Sequence, residues 1–292
     1  MRNTPFVLLS LFIFQQPVKA QPTLGVYDYN QTFLPQKDMS TEEQFVDWYP
    51  YANGTISSYI QGATSRKRSL LLTLQPMANP TIGAAPNLLN DIRSGRYDTI
   101  ITTICGEINS QKKSVFIRWG HEMETSQSRY PWSGQRPAEY IAAFQHVVLL
   151  MRSLLSPTCY FVWSPAGYSN APSYWVGSAF CNYIGFSLYS YREYDIVRYG
   201  SPQSFQTLIN TRYQIAAICN ASAPIMLCEM GAYSSKVSTY QNTWIKTALP
   251  LMRDYPLLKI AVAFSAPDSV AWTPAGVPNW SISPTLWNTS HL

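Results

Sequence analysis

The chain has 292 residues, of which 46% are hydrophobic, 14% aromatic and only 13% charged, with 21 basic and 16 acidic side chains. That apolar share is ample for a large core, and the charge is about half the ~25% of an average soluble domain. Such a composition excludes a disordered chain, a coiled coil and a highly charged nucleic-acid binder. With so few acids, any catalytic carboxylate comes from a short list.

The N-terminus opens with Arg2, then an apolar run from Phe6 to Phe14 broken only by Ser10, and Val18-Lys19-Ala20. This pattern predicts a secretory signal over residues 1–20, cleaved after Ala20. The run is too short to span a bilayer. Loss of Arg2 and Lys19 lowers the net charge from +5 to +3, too little to imply an acidic partner. Secretion makes Cys105, Cys159, Cys181, Cys219 and Cys228 an odd set in an oxidising compartment. Two disulfides and one free thiol are expected, with Cys105–Cys159 and Cys181–Cys219 as the pairing. Sequons stand at Asn30, Asn53, Asn220, Asn279 and Asn288.

Along residues 21–292, short apolar runs alternate with helix-period segments. The runs are Leu24 to Tyr27, the β-prone Gln44 to Tyr51, Leu70 to Leu74, Val115 to Trp119, Tyr160 to Trp163, Ile184 to Tyr189, Ile225 to Cys228 and Ile260 to Phe264. The helical segments are Tyr97 to Ile108, Pro137 to Leu155, Phe205 to Cys219 and Tyr240 to Met252. Pro137 suits a first helical turn, and Ser40 to Glu43 has the spacing of a capping box. Apolar runs without polar alternation mark strands buried on both faces, hence a parallel sheet. Eight of them predict an α/β fold of the (β/α)8 TIM-barrel type in one domain. The alternative is a doubly wound sheet, but neither GxGxxG nor a P-loop occurs.

In a barrel, chemistry sits at the C-terminal ends of the strands. Glu122 follows the fourth run and Glu229 closes the seventh. Asp28 and Asp268 near other strand ends, and Glu124 nearby, are their rivals. Two carboxyl groups about 5–5.5 Å apart serve a retaining glycosidase, one as acid and base, the other as nucleophile. The plainer reading is a pair of carboxylates in rim salt bridges.

Local wording separates the two readings. Ser114-Val-Phe-Ile-Arg-Trp-Gly-His-Glu-Met123 resembles the acid/base strand of glycoside hydrolase family 26. The likeness continues through Tyr130-Pro131-Trp132, Pro137 to Phe144, Phe161-Val-Trp-Ser-Pro165 and Tyr183 to Tyr189. It ends with Pro224-Ile-Met-Leu-Cys-Glu-Met-Gly231, which looks like the family's nucleophile strand. The resemblance implies a (β/α)8 barrel of the retaining clan, with Glu122 as acid/base, Glu229 as nucleophile and Tyr189 beside the nucleophile. Three segments depart from the family's pattern: Glu124-Thr125 after His-Glu-Met, Gln75-Pro76 after the third strand, and Phe180-Cys181-Asn182 before the sixth. They touch sugar-binding positions and leave both catalytic candidates in place.

Further substrate-binding candidates follow from what sugars require. His121 either hydrogen-bonds substrate or is a satisfied barrel histidine. Trp132 and Trp163 are candidate sugar platforms, against core packing as the alternative. Arg118 either orients the carboxylates or forms an internal ion pair. Trp272 follows the eighth strand and is a candidate subsite aromatic. Alternation along the strand points the Cys228 thiol toward the helix layer. The Glu122 pKa should be raised by the Glu229 charge and by burial.

Together with the signal-like N-terminus, the family 26 resemblance implies a secreted, retaining endo-β-glycanase acting on β-1,4 linkages, with β-mannan favoured. Mixed-linkage β-1,3/1,4-glucan and β-1,3-xylan are the family alternatives, and a non-catalytic carbohydrate-binding barrel is the alternative of another class. A serine hydrolase is disfavoured because no G-x-S-x-G occurs, and a zinc enzyme because no HExxH occurs. No metal or cofactor is expected. The expected partner is a polysaccharide or oligosaccharide substrate, with no nucleic acid, no membrane contact after signal removal, and a monomeric state.

Overall fold

The computed structural model describes residues 21–126 and 129–292. The signal expected over residues 1–20 lies outside them. Eight parallel strands close a barrel in chain order: β1 (Thr23–Asp28), β2 (Thr41–Asp47), β3 (Ser69–Gln75), β4 (Phe116–Trp119), β5 (Tyr160–Trp163), β6 (Tyr183–Tyr191), β7 (Ile225–Tyr233) and β8 (Leu258–Ser265). Closure is completed by β1 and β8, which pair from Thr23↔Ile260 to Asp28↔Ser265. The expected (β/α)8 architecture is therefore the observed one.

Around the barrel run α1 (Thr55–Ser65), α2 (Leu88–Arg93), α3 (Asp98–Gln111), α4 (Pro137–Leu154), α5 (Arg192–Tyr199), α6 (Phe205–Asn220) and α7 (Tyr240–Leu251). In α4, Pro137 sits in the first turn, where its missing N–H costs nothing. Its buried face, Tyr140, Ala143, Phe144, Val147, Val148 and Met151, follows helical spacing. Helix α6 starts at Ser204, whose Oγ accepts the Thr207 N–H at 3.1 Å. The C-terminal segment returns to β1, where Trp287 Nε1 donates to the Gly25 carbonyl at 2.9 Å. Among the described residues, no helix is long and apolar enough to cross a membrane.

The barrel interior is stratified. Its lower part is apolar, built from Leu71, Val162, Met226, Cys228, Ile260 and Val262. Further along the strands come polar groups: Glu43, Thr73, Arg118, Ser164, Ser187 and Glu229. Above them lie rings: Tyr27 meets Phe45 and Phe264, each at 4.9 Å between centroids, and Phe264 meets Tyr189 at 6.1 Å. Strand alternation produces this order, since every second side chain enters the interior.

Several expectations change. The stretch from Ser40 to Glu43 is no capping box: Thr41 opens β2, and Glu43 points into the barrel. The Cys228 thiol also faces inward, packed against the lower apolar residues. The reason is a bulge in β7. Phe186 pairs with Leu227 and Ser187 with Glu229, so Cys228 is an inserted residue. The insertion resets the alternation and lets neighbours Cys228 and Glu229 both enter the barrel. Gly185 makes room, because a Cβ there would lie 2.7 Å from Cys228 Sγ. Finally, all five cysteines are free thiols. Cys105 and Cys159 are spatial neighbours, as are Cys181 and Cys219: burial first, then the neighbouring sulfur, pushes Cys105 and Cys181 up to about 12. Neither pair stands within bonding distance, so the expected disulfides are not formed.

Candidate active site

Glu122 lies three residues beyond β4 with φ at 54°, in the left-handed region that a non-glycine residue occupies at a cost of about 1–3 kcal/mol. Local hydrogen bonds hold it there. Its N–H donates to the Ser164 carbonyl at 2.8 Å. Its carbonyl accepts from Thr125 Oγ1 at 2.8 Å and Ser133 Oγ at 3.1 Å. One residue earlier, Trp132 Nε1 donates to the His121 carbonyl at 2.7 Å. This strained corner aims the carboxyl group over the barrel mouth. There it is 8% exposed, and its pKa rises to about 7, through burial first and then through the Glu229 charge. The expected charge effect is present, but burial outweighs it.

Glu229 reaches the same layer from the β7 bulge, and its carboxylate is firmly held. Arg118 Nη1 donates to Oε1 at 2.5 Å, and the Tyr189 hydroxyl donates to Oε2 at 2.6 Å. The Tyr189 phenol is raised well above its ordinary range, by burial and then by Glu229. Tyr189 is thus placed beside Glu229, where the family resemblance put it.

Arg118 is completely buried and organises this polar layer. Besides Glu229 it binds Ser164 Oγ through Nε at 2.9 Å, Ser187 Oγ through Nη2 at 3.2 Å and Glu43 Oε1 through Nη1 at 3.2 Å. Burial would lower its pKa, but Glu229, Cys228, Glu43 and Glu122 together raise it above the ordinary arginine value. It touches carboxylates rather than the cleft surface, so the orienting and ion-pair readings of this residue describe one arrangement. Glu43 is not among the strand-end carboxylates, because it lies inside β2 rather than at its end. Burial lifts its pKa to about 8; Arg118 opposes the rise and Glu229 adds to it. Thr73 Oγ1 donates to Glu43 Oε1 at 2.6 Å, whereas Oε2 has no partner.

His121 is buried between Tyr130, at 4.9 Å, Trp132, at 5.6 Å, and Phe45, at 5.9 Å. Burial, then Arg118 and Arg129, keep its pKa well below the ordinary value, so the ring is neutral. Its Nδ1 has no hydrogen-bond partner.

The tryptophan expectations divide. Trp132 is fully buried, stacked on Tyr130 at 4.6 Å, and presents no face to a sugar. Trp163 is also fully buried, because the Val162 side chain enters the barrel and alternation sends Trp163 outward against Trp175. Neither can serve as a platform. Trp272 is half-buried at the rim of the mouth and meets Tyr189 at 6.0 Å and Tyr194 at 5.2 Å.

The rival carboxylates have other tasks. Asp28 accepts the N–H groups of Thr32 and Phe33 and shapes the loop after β1. Asp268 accepts from Trp272 Nε1 at 2.9 Å and lies 3.7 Å from Arg129, joining the loops after β8 and β4. Glu124 is buried and accepts the Gly167 and Tyr168 N–H groups at 2.7 and 3.2 Å. Among the described residues, no cluster of histidine, cysteine or acidic side chains could hold a metal ion.

No family model matches the sequence, and no curated protein matches it. Solved structures do. A GH26 β-mannanase from Bacteroides ovatus is similar over 91% of this chain and 85% of its own, with TM-score 0.64 and 12% identity. A fungal β-1,4-galactanase is similar over 93% and 98%, with TM-score 0.60 and 10% identity. An endo-1,4-β-D-mannanase from Thermotoga petrophila is similar over 90% and 95%, with TM-score 0.57 and 10% identity. At these identities the likeness is one of fold: the chain shares its barrel with these proteins, and that barrel is the architecture the family 26 resemblance implies.

Proposed function

We propose that this protein is a secreted, retaining endo-β-glycanase of the family 26 type, acting on β-1,4-linked polysaccharide with β-mannan as the leading substrate. The observation that carries the reading is the contrast between two carboxyl groups at one barrel mouth. Glu122 keeps its proton up to about pH 7, and Glu229 is held by a guanidinium and a phenol. Neighbouring carboxyl groups in contrasting environments are what a double displacement needs.

In the first step Glu122 gives its proton to the glycosidic oxygen while the Glu229 carboxylate attacks the anomeric carbon. The C–O bond to the leaving sugar breaks, and a glycosyl ester forms on Glu229. In the second step the Glu122 carboxylate takes a proton from water, the water oxygen attacks the same carbon, and Glu229 is released. Arg118 and Tyr189 keep Glu229 oriented, and departure of its charge into the ester weakens their hold, which favours its return. The low charge and the rings at the mouth suit a neutral polysaccharide, bound by stacking and hydroxyl hydrogen bonds. The similarity to a β-mannanase supports mannan ahead of mixed-linkage glucan or β-1,3-xylan. Secretion rests on the signal-like N-terminal segment.

The test is a reducing-end assay over mannan, lichenan, cellulose derivatives and β-1,3-xylan, with the Glu229→Gln variant as control. The wild type should cleave at least one of them. Loss of the nucleophile should lower turnover by at least about 10³-fold with the fold intact by circular dichroism. Ordinary turnover by the variant would sink the assignment. Tight oligosaccharide binding by the wild type without cleavage would identify a binding protein instead.

A further inference from the structure

The exposed aromatic side chains at the mouth are not scattered. Tyr168, in the loop after β5, is 51% exposed, and Tyr199, at the end of α5, is 54% exposed. Tyr194 on the same helix is half-buried and packs edge-on against Trp272 at 5.2 Å. Tyr194, Glu122, Tyr199 and Glu124 all act electrostatically on the Tyr168 phenol, so these groups share one side of the mouth.

The loop that carries Tyr168 is built to hold it still. Glu124 Oε1 accepts the N–H groups of both Gly167 and Tyr168, and the Asn170 side chain donates to the Glu124 carbonyl at 3.4 Å. Arg212 Nη2 supports the loop from below, donating to the carbonyls of Ala166 at 2.9 Å and Ser187 at 3.1 Å. Gly167 has φ at 104°, and a Cβ there would lie 2.5 Å from Arg212 Nε, so only glycine permits this close approach. The loop is also tied to the acid/base candidate, because the carbonyl of Ser164, at its start, accepts the Glu122 N–H. A buried carboxylate, a guanidinium and a glycine of positive φ thus fix the backbone that carries one exposed ring. Glu124, one of the departures from the family 26 pattern, thereby acquires a physical role.

The position decides which sugar the ring would meet. In a double displacement the acid stands beside the departing oxygen, and the nucleophile stands on the far side of the anomeric carbon. Tyr189 lies against Glu229; Tyr168 lies on the flank of Glu122. We propose that Tyr168, positioned by Glu124 and continued by Tyr194, forms the platform for the sugar on the leaving-group side of the scissile bond. This rests on the glycosidase reading above and adds a binding site to it. A pyranose packs its C–H face on a phenol ring, and a ring carried on a backbone fixed beforehand loses less entropy on binding.

The experiment compares two substrates that differ only in the leaving group. One is a soluble oligosaccharide of the polysaccharide that the wild type cleaves. The other is the β-fluoride of the corresponding disaccharide, which carries no leaving-group sugar. Tyr168→Ala should lower kcat/KM on the oligosaccharide by about tenfold or more and leave the fluoride within about twofold. Tyr168→Phe keeps the ring and should behave as wild type on both. Glu124→Ala should reproduce the selective loss, whereas Glu124→Gln retains an oxygen acceptor and should restore most of it. The subsite is overturned by a Tyr168→Ala enzyme that is unchanged on the oligosaccharide, or by an equal loss on both substrates. Failure of the wild type to cleave any β-glycan sinks the glycosidase reading itself, a different outcome from cleavage indifferent to Tyr168.

Discussion

The ends of β4 and β7 bring a glutamate to the same place by different devices. After β4 the chain bends through a strained residue: Glu122 takes a positive φ, and hydrogen bonds between its backbone and Ser164, Thr125 and Ser133 hold it there. Within β7 the chain instead inserts a residue, Cys228, and the resulting bulge turns Glu229 inward. The surroundings differ as well. The Glu122 carboxyl is buried with the like charge of Glu229 nearby, and its proton is retained to about pH 7. The Glu229 carboxylate is gripped by Arg118 and Tyr189. Backbone shape delivers each group to the mouth, and the neighbours on each side set their contrasting environments.

The strongest way to break this comparison is to shift Glu229 by one residue along its strand. Insertion of one alanine between Cys228 and Glu229 should put the alanine in the inward position and turn Glu229 away from Arg118. Activity should fall by at least about 10³-fold, as for loss of the carboxylate itself. Cys228→Ala keeps the residue count and should retain activity within a few-fold, at a stability cost of about 1–2 kcal/mol. An active insertion variant would show that the register at the bulge does not place the nucleophile.

A second experiment addresses the proton on the β4 side. Glu122→Gln should lower turnover of unactivated glycosides by about 10²–10⁴-fold, and much less for an aryl glycoside with a good leaving group. In the wild type, kcat/KM should fall as pH rises through about 7, because the acid loses its proton there. The variant should lack this limb when assayed on the aryl glycoside. A limb that survives in Glu122→Gln would assign the titration to another group.

The smallest effect is expected beneath both glutamates. Glu43 has its folded pKa raised to about 8, so the folded state holds a proton that the unfolded state releases near pH 4.5. Stability should therefore decline as pH rises from about 4.5 through about 8. Glu43→Gln carries no titrating proton and should flatten this decline, with the melting temperature at about pH 8.5 shifted up by a few degrees relative to wild type. Thermal melts of both proteins across this range check it, and parallel curves would refute the assignment.

Much of the architecture is legible in the amino-acid sequence. Leu70 to Leu74 and Ile225 to Cys228 are apolar without alternation because both faces of a barrel strand are buried, and the observed strands extend these runs at one or both ends. The four expected helices correspond to α3, α4, α6 and α7, since their apolar faces recur at helical spacing. By contrast α1, α2 and α5 offer few apolar residues: α1 buries only Ile56, Ile60 and Ala63, α2 and α5 are short, and α5 is mostly polar. Glu43 is hidden because a carboxylate within a strand resembles a solvent-facing residue until its partners Thr73 and Arg118 are known. Trp132 and Trp163 look suited to sugars because a sequence reports an indole but not which way it faces.

By itself the sequence determined the strand count, the parallel barrel and the two strand ends where acids stand, because burial on both faces and helical spacing are local patterns of hydrophobicity. Tertiary structure alone decided the inward turn of Glu229 at the bulge, the burial of Arg118 among Glu43, Ser164, Ser187 and Glu229, the loss of the two buried tryptophans as platforms and the exposure of Tyr168. Each of these depends on which residues from distant strands meet in the barrel, and contacts between distant strands leave no periodic trace along the chain.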